Sequence, residues 1–150
     1  MTKLLKENDV DFILKPHSKK VYTCEEAAVE RGIKVEQIVK CMVVKNPDNE
    51  FLMALIPGDK RLNIKKFVKA LDVKKLSIAS REEVQKVTGY PIGAISPIGI
   101  RKHKIKIFMD QSVGNEDYVD ISSGRPDAGV ELKSIDLIGF LKPTIMDIAE

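Results

Sequence analysis

Two apolar runs joined by a tight polar turn constrain the fold of this chain more than any other feature. Val39 to Val44 is apolar and rich in β-branched residues, Asn46-Pro47-Asp48-Asn49 supplies the turn, and Phe51 to Ile56 is apolar again. β-Branched and aromatic side chains suit a pleated surface, while Asn, Asp and Pro each favour a chain reversal. The segment reads as a β-hairpin with buried strands. A hairpin here breaks the strand–helix–strand order that a doubly wound parallel sheet requires.

The flanking sequence supplies short helices. Thr23-Cys24-Glu25-Glu26 has capping-box spacing, in which Thr23 accepts from the third helical amide and Glu26 reaches back. The helix runs to about Arg31, and Gly32 stands where a left-handed residue ends it. Ile64, Phe67, Val68 and Leu71 follow helical spacing, with Lys65, Lys66 and Lys69 off that face. Ser80-Arg81-Glu82-Glu83 is a second capping box, opening a helix to about Val87. Thr2 to Glu7 reads as a helix, and Val10 to Leu14 as a strand ended by Pro16. Ile105 to Met109, Tyr118 to Ile121 and Gly129 to Leu132 read as strands, with a turn from Ser123 to Asp127. Ser134 is expected to cap a last helix that reaches about Leu141 and stops at Pro143. There is no internal repeat and no Ser/Gly-rich linker. The expected fold class is α+β: one domain over residues 1–150, with a curved, mixed or mostly antiparallel sheet surrounded by helices.

Composition excludes several functions. Of the 150 residues, 43% are hydrophobic and 31% charged, a globular balance that leaves out disordered and collagen-like chains. No run approaches the ~18 apolar residues of a membrane span, so no membrane partner is expected. Lys3 and Lys6 interrupt any signal-peptide core, and a cytoplasmic location is the expectation. Cys24 and Cys41 lack CxxC spacing, and His17 and His103 are far apart, so neither a disulfide framework, a metal nor another cofactor is expected. The net charge of +3 permits a nucleic-acid partner without demanding one.

Two features carry candidate chemistry. Lys40 interrupts an apolar strand, on the same face as Met42 and Val44. A charge there has to reach water, a partner or a ligand anion, and a lysine snorkelling to solvent is the plainer reading. The second is Gly89-Tyr-Pro-Ile-Gly93-Ala-Ile-Ser-Pro-Ile-Gly99, uncharged and rich in Gly and Pro. Such a loop can fix unusual backbone conformations and aim N–H groups at a carbonyl or phosphate oxygen, or it can simply cross the sheet as structure. It has neither the Gly-Lys-Ser/Thr of a P-loop nor the Gly-x-Ser-x-Gly of a nucleophile elbow.

Weaker candidates each have a structural reading beside them. Ser123-Gly124-Arg125 suits either phosphate or a plain turn. Arg101-Lys102-His103-Lys104 with Lys106, and Lys65, Lys66 and Lys69 with Lys74 and Lys75, suit a nucleic-acid backbone or a solvated surface. Cys24 near a helix N-terminus is placed for a lowered thiol pKa, Cys41 reads as core, and Asp136 suits a helix N-terminal charge. No Ser-His-Asp set or carboxylate pair stands out.

Four blocks together resemble the YbaK/ProX family of aminoacyl-tRNA deacylases, which also occurs as the editing insertion of bacterial prolyl-tRNA synthetases. They are Glu25-Glu-Ala-Ala28 through Arg31-Gly-Ile33, Ile38 through Val44 around Lys40, Thr88 through Gly99, and Ser123-Gly124 with Val130-Glu-Leu132 and Asp136-Leu137. The glycine-proline loop is the most specific block, and the order spans nearly the whole chain.

The resemblance implies hydrolysis in trans of a mischarged tRNA ester, with Cys or Ala on a proline tRNA, without metal or protein nucleophile. It implies catalytic roles for Lys40, which would orient the substrate, and Gly93, whose backbone would contact the reacting end. It further implies substrate binding by His17, Cys41, Ile92, Ala94, Ser96, Pro97, Ser123 and Gly124. The implied partners are aminoacyl-tRNA and, beyond it, prolyl-tRNA synthetase. The alternative is a non-catalytic module that binds aminoacyl-tRNA, a nucleotide or a regulatory partner. His17 stands where some branches carry tyrosine, no histidine follows the Ser123-Gly124 turn, and Arg125-Pro126-Asp127 replaces a more basic turn. These departures bear on amino-acid specificity.

Overall fold

The structure is a computed structural model that describes residues 2–100 and 105–150. In chain order it runs α1 (Thr2–Glu7), β1 (Phe12–Pro16), α2 (Cys24–Arg31), β2 (Val39–Lys45), β3 (Phe51–Pro57), α3 (Ile64–Leu71) and β4 (Ser77–Ile78). There follow α4 (Arg81–Thr88), α5 (Pro97–Ile100), β5 (Lys106–Asp110), β6 (Tyr118–Ser122), β7 (Ala128–Lys133), α6 (Ser134–Leu141) and β8 (Thr144–Met146).

The hairpin forms where the turn chemistry places it. β2 and β3 pair antiparallel from Val39 opposite Pro57 to Lys45 opposite Phe51. The Asn46 side chain holds the reversal by accepting from the amides of Asp48 (3.0 Å) and Glu50 (2.9 Å). This hairpin is the centre of a five-stranded sheet ordered β4-β2-β3-β5-β8, antiparallel on one side and parallel from β3 through β5 to β8. β1, β7 and β6 form a second, antiparallel sheet. A bridge between Ile38 and Asp120 joins the two. The α+β expectation holds, with the strands divided between a mixed sheet and an antiparallel one.

Strand alternation sorts the core. Val43, Met53, Leu55 and Met109 from the large sheet meet Val119, Ile121, Val130 and Leu132 from the small one, with Leu137 and Phe140 of α6. The opposite face of the large sheet sends Val44, Ala54, Ile56 and Phe108 against Phe67 of α3. The Phe67 and Phe108 rings meet edge to face at 5.3 Å, the arrangement that aromatic quadrupoles favour.

Helix ends follow their caps. Thr23 Oγ1 accepts from the Glu26 amide at 3.1 Å, and Gly32 closes α2 in the left-handed region. Ser80 and Glu83 complete their reciprocal box, and Glu83 also accepts from Lys45 at 2.7 Å. One cap differs from expectation: Ser134 is the first residue of α6 and Lys133 takes the N-cap place. The Ser134 amide donates to the Asp117 carbonyl at 2.9 Å, so the start of α6 is fixed by the preceding loop. β1 lies two residues later than its apolar run, because pairing with β7 extends it to Pro16 opposite Ala128. Proline is tolerated there because β1 is an edge strand. α5 emerges from the loop that read as irregular, and β4 and β8 are short strands that only the sheet context defines. The basic run Arg101-Lys102-His103-Lys104 lies outside the described residues.

Candidate active site

A cavity of about 320 Å³ opens where the start of β2, the segment entering α2 and the glycine-proline loop converge. Its depth depends on a missing side chain. A Cβ at Gly58 would come within 2.7 Å of the Val35 carbonyl and 3.2 Å of the Cys24 and Ile38 Cβ atoms. Glycine lets the end of β3 pass tightly beneath α2, where the Gly58 amide donates to the Ile38 carbonyl at 2.8 Å.

Lys40 lies in the cavity wall. Its register opposite Ile56 puts it on the α3 side of the sheet, and its ammonium turns to the loop after β3. There Nζ donates to the Lys60 carbonyl at 2.7 Å. An ammonium carries three donors, and this bond uses one. The half-buried lysine is thus held at the cavity by its own chain, with a defined direction and a positive charge.

The two thiols are not prepared nucleophiles. Cys24 is the first residue of α2, a place expected to lower a thiol pKa. Burial outweighs that and pushes it up, against the opposing charge of Lys40. Cys41 is pushed up as well, by burial and then by Cys24. Both stay protonated at neutral pH.

The glycine-proline loop is tied at both ends. Gly89 ends α4 at φ +77°, and the Thr88 hydroxyl accepts from the Tyr90 amide at 3.0 Å while donating to the Val84 carbonyl at 2.7 Å. The Tyr90 ring then sits between two glycines. A Cβ at Gly99 would collide with its hydroxyl, and one at Gly124 would lie 2.6 Å from its Cε1. The loop and the Ser123-Gly124 turn are therefore packed through one aromatic ring. Gly93 adopts φ +88° beneath Tyr22, where a Cβ would approach the Tyr22 carbonyl to 3.2 Å.

The sequence candidates separate into three places. Lys40, Cys41, Ile92 and Gly93 line the one cavity. Ala94, Ser96 and Pro97 are the buried part of the loop, with the Ser96 hydroxyl lacking a hydrogen-bond partner among the described residues. His17, Ser123 and Gly124 sit on the turn at the end of the small sheet. The His17 amide donates to the Asp127 carbonyl at 2.9 Å, and the Ser123 hydroxyl to the Ala128 carbonyl at 2.7 Å. Their neighbour Ser122 borders the cavity.

Three further lining residues, Tyr22, Arg31 and Ser122, were not singled out by the sequence. In the sequence Arg31 stands at the end of a helix and in the first of the four resembling blocks, without a role at the site. Its guanidinium instead makes a buried ion pair, Nη1 to Asp120 Oδ1, at 2.6 Å. Burial raises the Asp120 carboxyl to about 6, against the lowering effect of Arg31. Beside this pair, Lys15 Nζ donates to Glu131 Oε2 at 2.6 Å.

Among the described residues no cluster of three or more His, Cys, Asp or Glu could hold a metal ion, and no helix is long and apolar enough to cross a membrane.

Comparison with known proteins identifies relatives over most of the chain. The aminoacyl-tRNA editing domain model matches residues 18–140. A proline–tRNA ligase from Thermosipho africanus is 37% identical over 99 residues, which cover 66% of this chain and 17% of the ligase. The chain thus spans under a fifth of that relative's length. The crystal structure of hypothetical protein APE2540 superimposes with a TM-score of 0.91 at 28% identity, covering 99% of this chain and 98% of the other. The structure of a candidate trans-editing enzyme for prolyl tRNA synthetase superimposes at 0.83 with 25% identity, covering 99% and 94%.

Proposed function

The chain belongs to the aminoacyl-tRNA editing domain family, and from that premise we propose that it is a trans-acting deacylase of mischarged tRNA, with Cys or Ala on a proline tRNA as substrate. The observation that carries the reading is the meeting of Lys40 and Gly93 in one cavity, from strand and loop positions far apart in sequence.

In this reading the aminoacyl ester enters the cavity. Lys40, steered by the Lys60 carbonyl, orients the substrate through its ester or terminal phosphate. Gly93 brings backbone against the reacting end, in a left-handed conformation where an added Cβ would press on the Tyr22 carbonyl. Water adds to the ester carbonyl and the bond to the ribose oxygen breaks, releasing the amino acid and a tRNA with a free hydroxyl. For a cysteinyl substrate its own thiol can attack instead. The protonated states of Cys24 and Cys41 support a mechanism without a protein nucleophile. Catalysis then rests on positioning and on stabilising the developing oxyanion. Ile38, Met42, Ile92 and Ile95 give the cavity an apolar wall suited to a small side chain. Such a wall separates substrates differing by one methyl or thiol by only ~1–3 kcal/mol.

The test is hydrolysis of Cys-, Ala- and Pro-charged proline tRNA by the wild type and Lys40→Ala. Cleavage of a mischarged substrate, sparing of Pro-tRNA and an inactive but folded variant are expected. An active variant would remove Lys40 from the reaction, and tight binding of charged tRNA without turnover would establish a non-catalytic module instead.

A further inference from the structure

The lining of the cavity includes Tyr22, a large aromatic side chain that the hydrolytic reading does not use, together with Ile92 of the apolar wall. Tyr22 is 63% exposed and Ile92 is 42% exposed, and both border the opening. Isolated exposed apolar residues are common on protein surfaces. These two differ because they line one cavity and because the residues on either side of Tyr22 are hydrogen-bonded in place. The Val21 amide donates to the Pro126 carbonyl at 2.9 Å. Thr23 is locked as the α2 N-cap by the Glu26 amide at 3.1 Å. The Tyr22 carbonyl rests over Gly93. Anchored neighbours on both sides therefore hold an exposed aromatic ring at the cavity.

The chemistry of the substrate says what would cover it. In an aminoacyl-tRNA the scissile ester is on a hydroxyl of the terminal ribose, and the terminal base leaves the same ring at C1′. With the ester inside the cavity, that base has to lie at the mouth. We propose that Tyr22, which shares the cavity lining with Ile92, is the stacking platform for the terminal nucleobase of the aminoacyl-tRNA; the inference rests on the hydrolytic reading of the cavity. An aromatic face accepts any base, because stacking needs only the π surface. The partly exposed Ile92 adds apolar surface to the same lining. The platform then sets how the ribose enters and leaves the chemistry to Lys40 and Gly93.

The experiment compares wild type, Tyr22→Ala and Tyr22→Phe on charged tRNA, on the aminoacyl ester of adenosine, and on the same ester of a ribose lacking its base. Tyr22→Ala is expected to raise KM for the two base-bearing substrates by about tenfold with little change in kcat, and Tyr22→Phe to behave as wild type. On the base-free ester, wild type and Tyr22→Ala should be indistinguishable. The platform is overturned if Tyr22→Ala leaves KM unchanged while wild type turns over, or if it slows the base-free ester equally. A wild type that cleaves none of the three overturns the hydrolytic reading and the platform with it.

Discussion

The Arg31 guanidinium crosses Gly129 to reach Asp120 on the neighbouring strand. Nη1 lies 2.6 Å from Oδ1, with the two side chains only 5% and 1% exposed. A Cβ at position 129 would collide with the guanidinium, so the glycine in β7 is what lets α2 dock on the small sheet. Lys15 and Glu131 flank the pair, and their charges act on Asp120 in opposite directions. Because Arg31 also borders the cavity, this contact ties the cavity wall to the sheet behind it.

The pair makes a signed prediction about pH. Burial lifts the Asp120 carboxyl from 3.8 to about 6. Between those values the folded protein binds more protons than the unfolded chain, so the stability that Asp120 contributes falls as pH rises and levels off above about 6. The stability of wild type relative to Asp120→Asn should therefore fall by about 2 kcal/mol from pH 4 to pH 7. Denaturant melts at four or five pH values measure it. A difference that stays constant, or grows with pH, contradicts the assigned environment.

Removing the cation has a different signature. Arg31→Met leaves Asp120 buried without its partner, at a cost of about 3–5 kcal/mol near neutral pH. Gly129→Ala should approach that loss by pushing the guanidinium off Asp120, although it removes no charge. If the shared cause is right, adding Gly129→Ala to Arg31→Met costs far less than Gly129→Ala alone. Additive losses would mean that position 129 acts through something other than Arg31.

How much of this was legible in the sequence depends on the range of the interaction. The hairpin, the Ser80–Glu83 capping box, the Thr23 N-cap and the Gly32 stop are written in neighbouring residues and appear in place, whereas the Glu26 carboxylate accepts from the Thr23 hydroxyl at 3.2 Å and not from the Thr23 amide. Lys40 was visible because a charge inside an apolar strand violates its surroundings. The Arg31–Asp120 contact was not, since the partners are 89 positions apart and each looks ordinary locally. Asp120 between Val119 and Ile121 fits the alternation of a strand with one wet face, and only the docking of α2 buries it. Tyr22 has no pattern of its own, because its place at the cavity mouth comes from the loop around Gly93. The boundary of α6 moved for a related reason, as a loop carbonyl at Asp117 rather than a side chain receives its first amide.

The glycine-proline loop and the Ser123-Gly124 turn should be energetically coupled through Tyr90. Gly124→Ala puts a methyl 2.6 Å from the ring and asks alanine to hold φ +94°. Tyr90→Ala removes the obstruction but leaves a cavity. A double-mutant cycle should show the two changes costing less together than the sum, by about 1 kcal/mol or more. Independent effects would mean that the ring does not join the two segments.

Gly93 and Gly32 separate conformational cost from obstruction at the site. Both have positive φ, +88° and +66°. Around Gly32 a new Cβ would meet nothing within 4 Å, whereas at Gly93 it would press on the Tyr22 carbonyl at 3.2 Å. Gly32→Ala should therefore cost about 1–2 kcal/mol of stability, the usual penalty for an L residue in that region, with activity intact. Gly93→Ala should cost at least as much and also lower deacylation of charged tRNA, because the added methyl moves the rim that Tyr22 and Gly93 share. Thermal melts and single-turnover hydrolysis on both variants decide it. Equal losses of activity would mean that Gly93 matters only for folding, and an unimpaired Gly93→Ala enzyme would remove its backbone from the reacting end altogether.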